Sequence, residues 1–583
     1  MYPHTRDVAV PRGIVNRIFA WVERLTESDS FIVKLALVAT FVSLLWFLTH
    51  VSLGSRTEVP VEGGVFREGI VGTPRFVNPI LAVTRADKDL SELMFDGLVA
   101  LGKDGVVTPN VAESITVSED GLTYNVVIRK DVTFHDGTPL SARDVVFTVG
   151  RITEPMIASP LRPNFDGVTV EQVGEYELNF VLEEAYAPFI ENLSFGILPE
   201  HIWENVTNEE FPFAERNSDP IGAGPYKVAE IRRSAGGIPE TYILTAHDRY
   251  HRGIPKIERI VLTFFPSEDR LIAAFKNGAL DALSGIDPSR LFELGVNTET
   301  HSVLHMPLPR TFAIFFNQNK SAVLRDTGAR QALSVAIDRN MLVDTVLGGY
   351  GIPLAGPLPK GFGVDAGNYV DIGDASETAR DILRDSGWKL NEETGVWEKE
   401  IDDVVTPLEL SIATVNNPLF EATAESIRAA WEKIGVRVTV KQFEQSDLTQ
   451  GIIRPRDYEA LLFGTQVGRA LDYYSFWHSS QRNDPGLNVA LYANITTDAL
   501  LTEARTTTDI TKRNEALTGF KDEILKETPA LFLYQPEFIY VFPHAVTGAS
   551  FVGVGEPHER FASVHDWYVD TDSLWSFLAP SQE

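Results

Sequence analysis

The chain has 583 residues, a formal net charge of −30, 44 % apolar and 10 % aromatic residues, and no cysteine. An acidic balance this large excludes the basic stripe by which nucleic-acid binders displace counterions, and the apolar content excludes a disordered body. The lack of cysteine rules out disulfides, thiol catalysis, cysteine metal sites and a lipid-modified cysteine anchor.

In chain order, the first marked feature is an uncharged apolar run over 35–55. Its 21 residues predict a helix of roughly 31 Å, close to the hydrocarbon thickness of a bilayer. Arg6, Arg12, Arg17, Arg24 and Lys34 precede it, with Asp7, Glu23, Glu27 and Asp29. Lys and Arg near a span hold their side in the cytoplasm, which predicts a tail over 1–34 inside and an exported body. Residues 1–54 thus carry +1 and the remainder −31. A cleaved signal peptide is the alternative, cut near Ser55 after the small residues Ser52 and Gly54. The length of the run and of the lead-in favours an uncleaved anchor. Ile14, Ile18, Trp21 and Val22 have helical spacing, which lays 13–24 along the inner leaflet or leaves it a loosely ordered tail.

About 530 exported residues exceed one core and predict two to four domains. A strand is expected over 65–70, a loop through Thr73, Arg75, Phe76 and Asn78, a helix over 86–95, and a turn at Lys103-Asp104-Gly105. The turn at Asp120-Gly121 leads into an alternating strand, and the turn around His135 into a helix capped by Ser141. Further on, a helix is expected over 329–339. Strand 408–413, helix 421–434 and strand 436–440 have the spacing of a βαβ unit on a parallel sheet. A short strand over 458–463 and a helix over 473–478 follow.

Several blocks carry a family likeness: DGLTYNVVIRKDVTFHDGTPLSARDVVFTV from Asp120, GAGPYKV from Gly222, RYHRGIPKI from Arg249, NGALDA from Asn277, ARQALSVAIDR from Ala329 and TPALFLY from Thr528. In this order, from Val65 to the end, the chain resembles the family 5 extracellular solute-binding proteins of peptide/nickel-type ABC importers. The resemblance implies an α/β, type II periplasmic-binding-protein-like fold: two α/β lobes with a hinge plus an extra inserted domain, here preceded by one transmembrane helix. It places the first lobe at 61–103 with 220–309 and 530–583, the insert at 104–219 and the second lobe at 310–529. The apolar stretches 305–316 and 530–542 suit two crossings between lobes. The implied activity is not enzymatic. It is capture of an oligopeptide-like solute without a cofactor, and delivery to an ABC permease by a monomer tethered to the extracytoplasmic face of the membrane.

Ligands of open α/β sheets lie beyond the carboxyl ends of strands, and the loop 464–474 leaves such an end. Peptide-binding relatives carry an acidic residue there that meets the ligand's α-amino group, and Asp472 matches it; capping of the following helix is the alternative role. Gly468 permits close backbone approach. Gln466, Arg469 and Tyr473 are candidate walls, with Arg469 replacing a tryptophan common in relatives and offering a fork for a carboxylate. Arg75, Phe76 and Asn78 of the first βα loop, and Asn317 after the crossing strand, complete the candidates.

Other chemistries find less support. His247/His251 and His301/His305 are four apart but lie in strand or turn contexts, and no HExxH, P-loop or GxSxG motif occurs. His135 and His478 read as core or solvated histidines, and no metal site is expected. An exported hydrolase using paired carboxylates, a receptor for a nickel chelate or oligosaccharide, and a transmembrane sensor remain as alternatives.

Overall fold

The computed structural model describes residues 27–54, 56–102, 104–373 and 375–575. The expected inner-leaflet segment 13–24, the cut point at Ser55 and Lys103 of the first turn lie outside them. Two compact units result, 1–61 with 570–583, and 62–569.

In the smaller unit the apolar run forms the helix Glu27–Gly54, 28 residues long. Of its described side chains, 31–47, all but the half-buried Val33 are exposed, with Phe31, Phe41 and Trp46 between 66 and 68 % accessible. Among the described residues no helix is long and apolar enough to cross a membrane. Strand Arg56–Pro60 then pairs antiparallel with Thr571–Trp575, so this last strand belongs to the smaller unit.

The larger unit is built on one continuous sheet. From one edge its strands are Arg437–Phe443, Glu409–Val415, Ala460–Gln466, Arg310–Phe316, Ala530–Pro543, Ala282–Ser284, Gly63–Val71, Ile257–Phe265, Pro239–Ala246 and Tyr226–Arg233. The βαβ unit forms as its spacing predicts, with the parallel strands Glu409–Val415 and Arg437–Phe443 joined by helix Pro418–Lys433. Asn417 caps that helix, and Gly435 follows it at φ +93°, a conformation that glycine adopts without penalty.

Strand Ala530–Pro543 links the two halves. Its beginning pairs with Arg310–Phe316, and its end with His301–Pro307 and Ala282–Ser284. Alternate side chains enter different cores, as a strand buried on both faces requires. Leu531 and Leu533 pack with Trp388 and Trp431, while Ala530 and Phe532 pack with Trp477 and Phe520. Farther on, Phe538, Tyr540 and Phe542 join Phe66 and Trp567, and Ile539 and Val541 join Leu271 and Leu283. Between these sets lies Gln535, fully buried, whose amide nitrogen donates to the Leu308 and Lys360 carbonyls and whose oxygen accepts from the Lys360 amide. Gln535 thereby ties strand Ala530–Pro543 to Leu308, between strands His301–Pro307 and Arg310–Phe316, and to Lys360.

Two local expectations change. The stretch 305–316 is two strands, His301–Pro307 and Arg310–Phe316, because Pro309 has no amide hydrogen to continue a ladder. The helix expected over 329–339 ends at Val335, and Asp338 caps a new helix, Arg339–Leu347. Arg339 is buried there and donates to the Phe532 carbonyl at 2.7 Å, a tertiary bond that overrides local propensity.

Within the first half of the chain, strands Ala112–Val117, Thr123–Ile128, Glu177–Leu182 and Val168–Gly174 form a separate antiparallel sheet. Helix Ala142–Thr153 packs against it, with Ser141 and Asp144 forming its capping box.

Candidate ligand-binding site

Helix Arg85–Met94 is the floor from which the site is built. Thr84 and Asp87 form its capping box, and Asp87 Oδ1 also accepts the amides of Arg75 and Phe76, so one carboxylate fixes both the helix start and the preceding loop. Asp89 points into the core, where it binds the fully buried Arg560 with Glu68. Tyr540 Oη donates to Glu68 at 2.9 Å and closes the cluster. This cluster seats the short helix Pro557–Phe561 against helix Arg85–Met94.

Lys88, Ser91 and Glu92 of the same helix instead face a cavity of about 370 Å³. Other walls come from Phe95 to Gly97, Leu161 to Phe165, Glu191 to Gly196 and Gly555 to Glu559, and from Gly468 and Arg469 of the loop after strand Ala460–Gln466. That volume falls in the usual range for enclosed small-molecule sites.

Five carboxylates line it, Glu92, Asp96, Glu191, Glu556 and Glu559. Two are paired: Lys88 Nζ donates to Glu556 at 2.5 Å, and Arg469 donates to Glu559. Glu556 is held down at about 2, because the hydrogen bond and charge of His558, with Lys88, outweigh the burial that would raise it. Glu92 accepts no hydrogen bond among the described residues and faces His558 Nε2 at 4.0 Å; burial pushes it up to about 7. Glu191 is likewise pushed up to about 7 by burial, against the opposing charges of Arg469 and Arg513.

Asp96 is raised to about 6 by burial. Its Oδ2 lies 3.7 Å from His251 Nδ1, and both atoms lack hydrogen-bond partners among the described residues. Asn110 donates its amide to the Gly97 carbonyl, so its oxygen accepts from His251 Nε2 at 3.2 Å. That tautomer, assigned from the network, leaves a lone pair on Nδ1 facing Asp96. Burial holds His251 neutral, near 3, so the proton that reconciles the two acceptors belongs on Asp96 below about pH 6.

Several contacts tie the end of strand Ala460–Gln466 and the loop after it to other walls of the cavity. Arg469 donates to the Gly105 and Gly553 carbonyls and to Glu559, with 14 % of its side chain exposed. Gln466 accepts from Arg310 at 2.8 Å and donates to Glu556 at 3.3 Å.

Of the residues expected from sequence, Gly468 (φ +67°) and Arg469 line the cavity, and Gln466 bridges to one of its walls. Asp472 borders a separate void of about 10 Å³. Tyr473 is core, its ring tilted against Phe520 and its hydroxyl donating to the Pro357 carbonyl. Asn317 and Asn78 are buried: their side-chain oxygens accept the Asn319 and Ile80 amides and hold local turns, while their amide groups donate across the fold to the Arg456 carbonyl and to Asn217. Arg75 and Phe76 line a different cavity of about 330 Å³ with Val83, Ile157 and Pro160. His135 binds the Gly224 carbonyl and is buried to a value near 3. The cavity carboxylates went unrecognised in the sequence. The dense charge of Glu556, His558, Glu559 and Arg560 just after an apolar strand was the available signal.

A sequence profile of the bacterial extracellular solute-binding proteins, family 5 Middle, matches residues 106–486. The chain belongs to this family. Its members carry solutes and are not enzymes, and this chain is such a carrier. It is 27 % identical over 531 residues to the oligopeptide-binding protein AppA of Bacillus subtilis, covering 88 % of this chain and 92 % of that one. The structure of that AppA with a nonapeptide superposes with a TM-score of 0.64 at 26 % identity, over 88 % of this chain and all of the other. NikZ of Campylobacter jejuni, in complex with Ni(L-His), gives 0.66 at 26 % identity over 86 % and 99 %. The two-lobed α/β fold of these solute-binding proteins is therefore that of the body, and its setting is extracytoplasmic.

Proposed function

We propose that this carrier is a membrane-anchored receptor that encloses an oligopeptide-like solute between its lobes and delivers it to an ABC permease. The observation that carries this reading is the cavity of about 370 Å³ at the lobe contact, lined by Glu92, Glu191, Gly468 and Arg469. Three of its carboxylates, Glu92, Asp96 and Glu191, have no full counter-cation, which favours ligands bearing N–H donors and positive charge. AppA, named as an oligopeptide-binding protein, lends the peptide class. The lobes are read as 62–103 with 220–309 and 530–569, and 310–529, with 104–219 inserted in the first.

The anchor reading rests on the helix Glu27–Gly54, whose 28 residues rise about 42 Å, and on its exposed apolar side chains. Lys and Arg ahead of it keep 1–34 inside, and tethering raises the receptor's effective concentration at its permease.

Thermal unfolding of the full chain in detergent, screened against di- to pentapeptides, a nickel–histidine chelate and cello-oligomers, tests the ligand class. Stabilisation by peptides alone is expected; stabilisation by a chelate or sugar alone would overturn the peptide assignment. Sodium carbonate extraction of membranes tests the anchor: retention in the pellet is expected, and release would contradict it.

A further inference from the structure

A second contact between the lobes lies at Asp472. Its Oδ1 accepts the Tyr474 amide at 3.1 Å, as a helix-capping carboxylate does, and its Oδ2 lies 3.7 Å from Arg505 Nε. The Arg505 guanidinium sits over two rings, 4.5 Å from the Tyr474 centroid and 5.0 Å from that of Tyr186, which belongs to the other lobe. The Arg505 carbonyl accepts the Ala187 amide at 2.9 Å, so backbone and side chain of one residue both cross the boundary. Tyr186 feels the pair too: burial raises its phenol, and the charge of Asp472 raises it further. The void beside them, bordered by Pro188, Asp472, Arg505 and Arg513, holds about 10 Å³, room for one water at most and for no ligand group.

We propose that Arg505 is the resident counter-cation of Asp472 and latches the two lobes together, so that Asp472 does not read a ligand amino group. An ammonium arriving there would have to displace a guanidinium held by one carboxylate and two aromatic faces, on a residue whose backbone is itself pinned to Ala187. The ligand's positive charge is left to the carboxylates of the large cavity. This last consequence rests on the peptide reading above; the latch itself does not.

The test has two arms on the full chain in detergent. The first is a ligand-free cycle of melting midpoints for wild type, Asp472→Asn, Arg505→Gln and the double variant. Each single variant is expected to melt lower, and the double no lower than the worse single; additive losses would overturn the latch. If Arg505→Gln does not fold, Arg505→Lys, which keeps the charge and loses the planar stacking, takes its place under the same criterion. The second arm compares tetra-alanine with its N-acetylated form. The ratio of their affinities is expected to be unchanged, within about twofold, by Asp472→Asn, and a selective loss of about tenfold or more for the free peptide would overturn the proposal. If neither peptide binds wild type, the peptide reading fails and the cycle alone decides the latch.

Discussion

Asp89 and Glu92 lie one turn apart on the same helix, yet they serve opposite ends. Asp89 is inaccessible and bound to Arg560, whose charge and hydrogen bonds more than offset the burial that would raise its pKa. Glu92 keeps 30 % of its side chain exposed in the cavity, faces His558 at 4.0 Å without a hydrogen bond, and is raised to about 7 by burial. A buried carboxylate with a complete set of partners is scaffold, because its charge is already answered. One without partners is available to a ligand.

The largest effect is expected from breaking the answered pair. Arg560→Met leaves the buried Glu68 and Asp89 with Arg85, 3.8 Å from Asp89, in place of their hydrogen-bonded cation and should cost about 3–5 kcal/mol, read by chemical denaturation. A loss under about 1 kcal/mol would mean that the cluster is not the scaffold described. Glu92→Gln acts on the other side of the comparison. A carboxyl raised from 4.5 to about 7 in the folded state binds protons more tightly there than when unfolded. Its stabilising contribution is therefore full below about pH 4.5 and is lost as pH rises through about 7. The variant should melt higher than wild type at pH 8, and the difference should vanish near pH 5; a pH-independent difference would contradict an unpaired Glu92. Weaker binding of cationic peptides at pH 8 should accompany it. The smallest effect belongs to charges in water: Arg232→Gln, which removes an exposed partner of Glu230, should leave the midpoint unmoved within error.

What the sequence made legible follows the same division. The crossing strand, the βαβ unit and the capped helices were readable because local pattern and tertiary role agree: Ala530–Pro543 is apolar along its length since both faces are buried. A cap residue such as Ser141 carries its meaning in its neighbours. Glu92 and Asp96 share one segment and Glu191 lies 95 positions further on, and all three look like any of the chain's 81 acidic residues until folding brings them together. Asp472 was found by its place in a loop, but its partner Arg505 is 33 positions on, and nothing in either segment announces the pairing. The break of the 329–339 helix was hidden for a similar reason, since it depends on Arg339 reaching the Phe532 carbonyl across the fold.

The account turns on two lobes that close around a cation-bearing solute, and the chain's lack of cysteine makes the motion directly measurable. Spin labels on cysteines placed at the exposed Val173 of the first lobe and Val404 of the second report the separation by pulsed dipolar spectroscopy. Saturating peptide, its binding verified by thermal shift, should collapse a broad distribution onto one short distance. A distribution unchanged by bound peptide would contradict closure as the mode of capture.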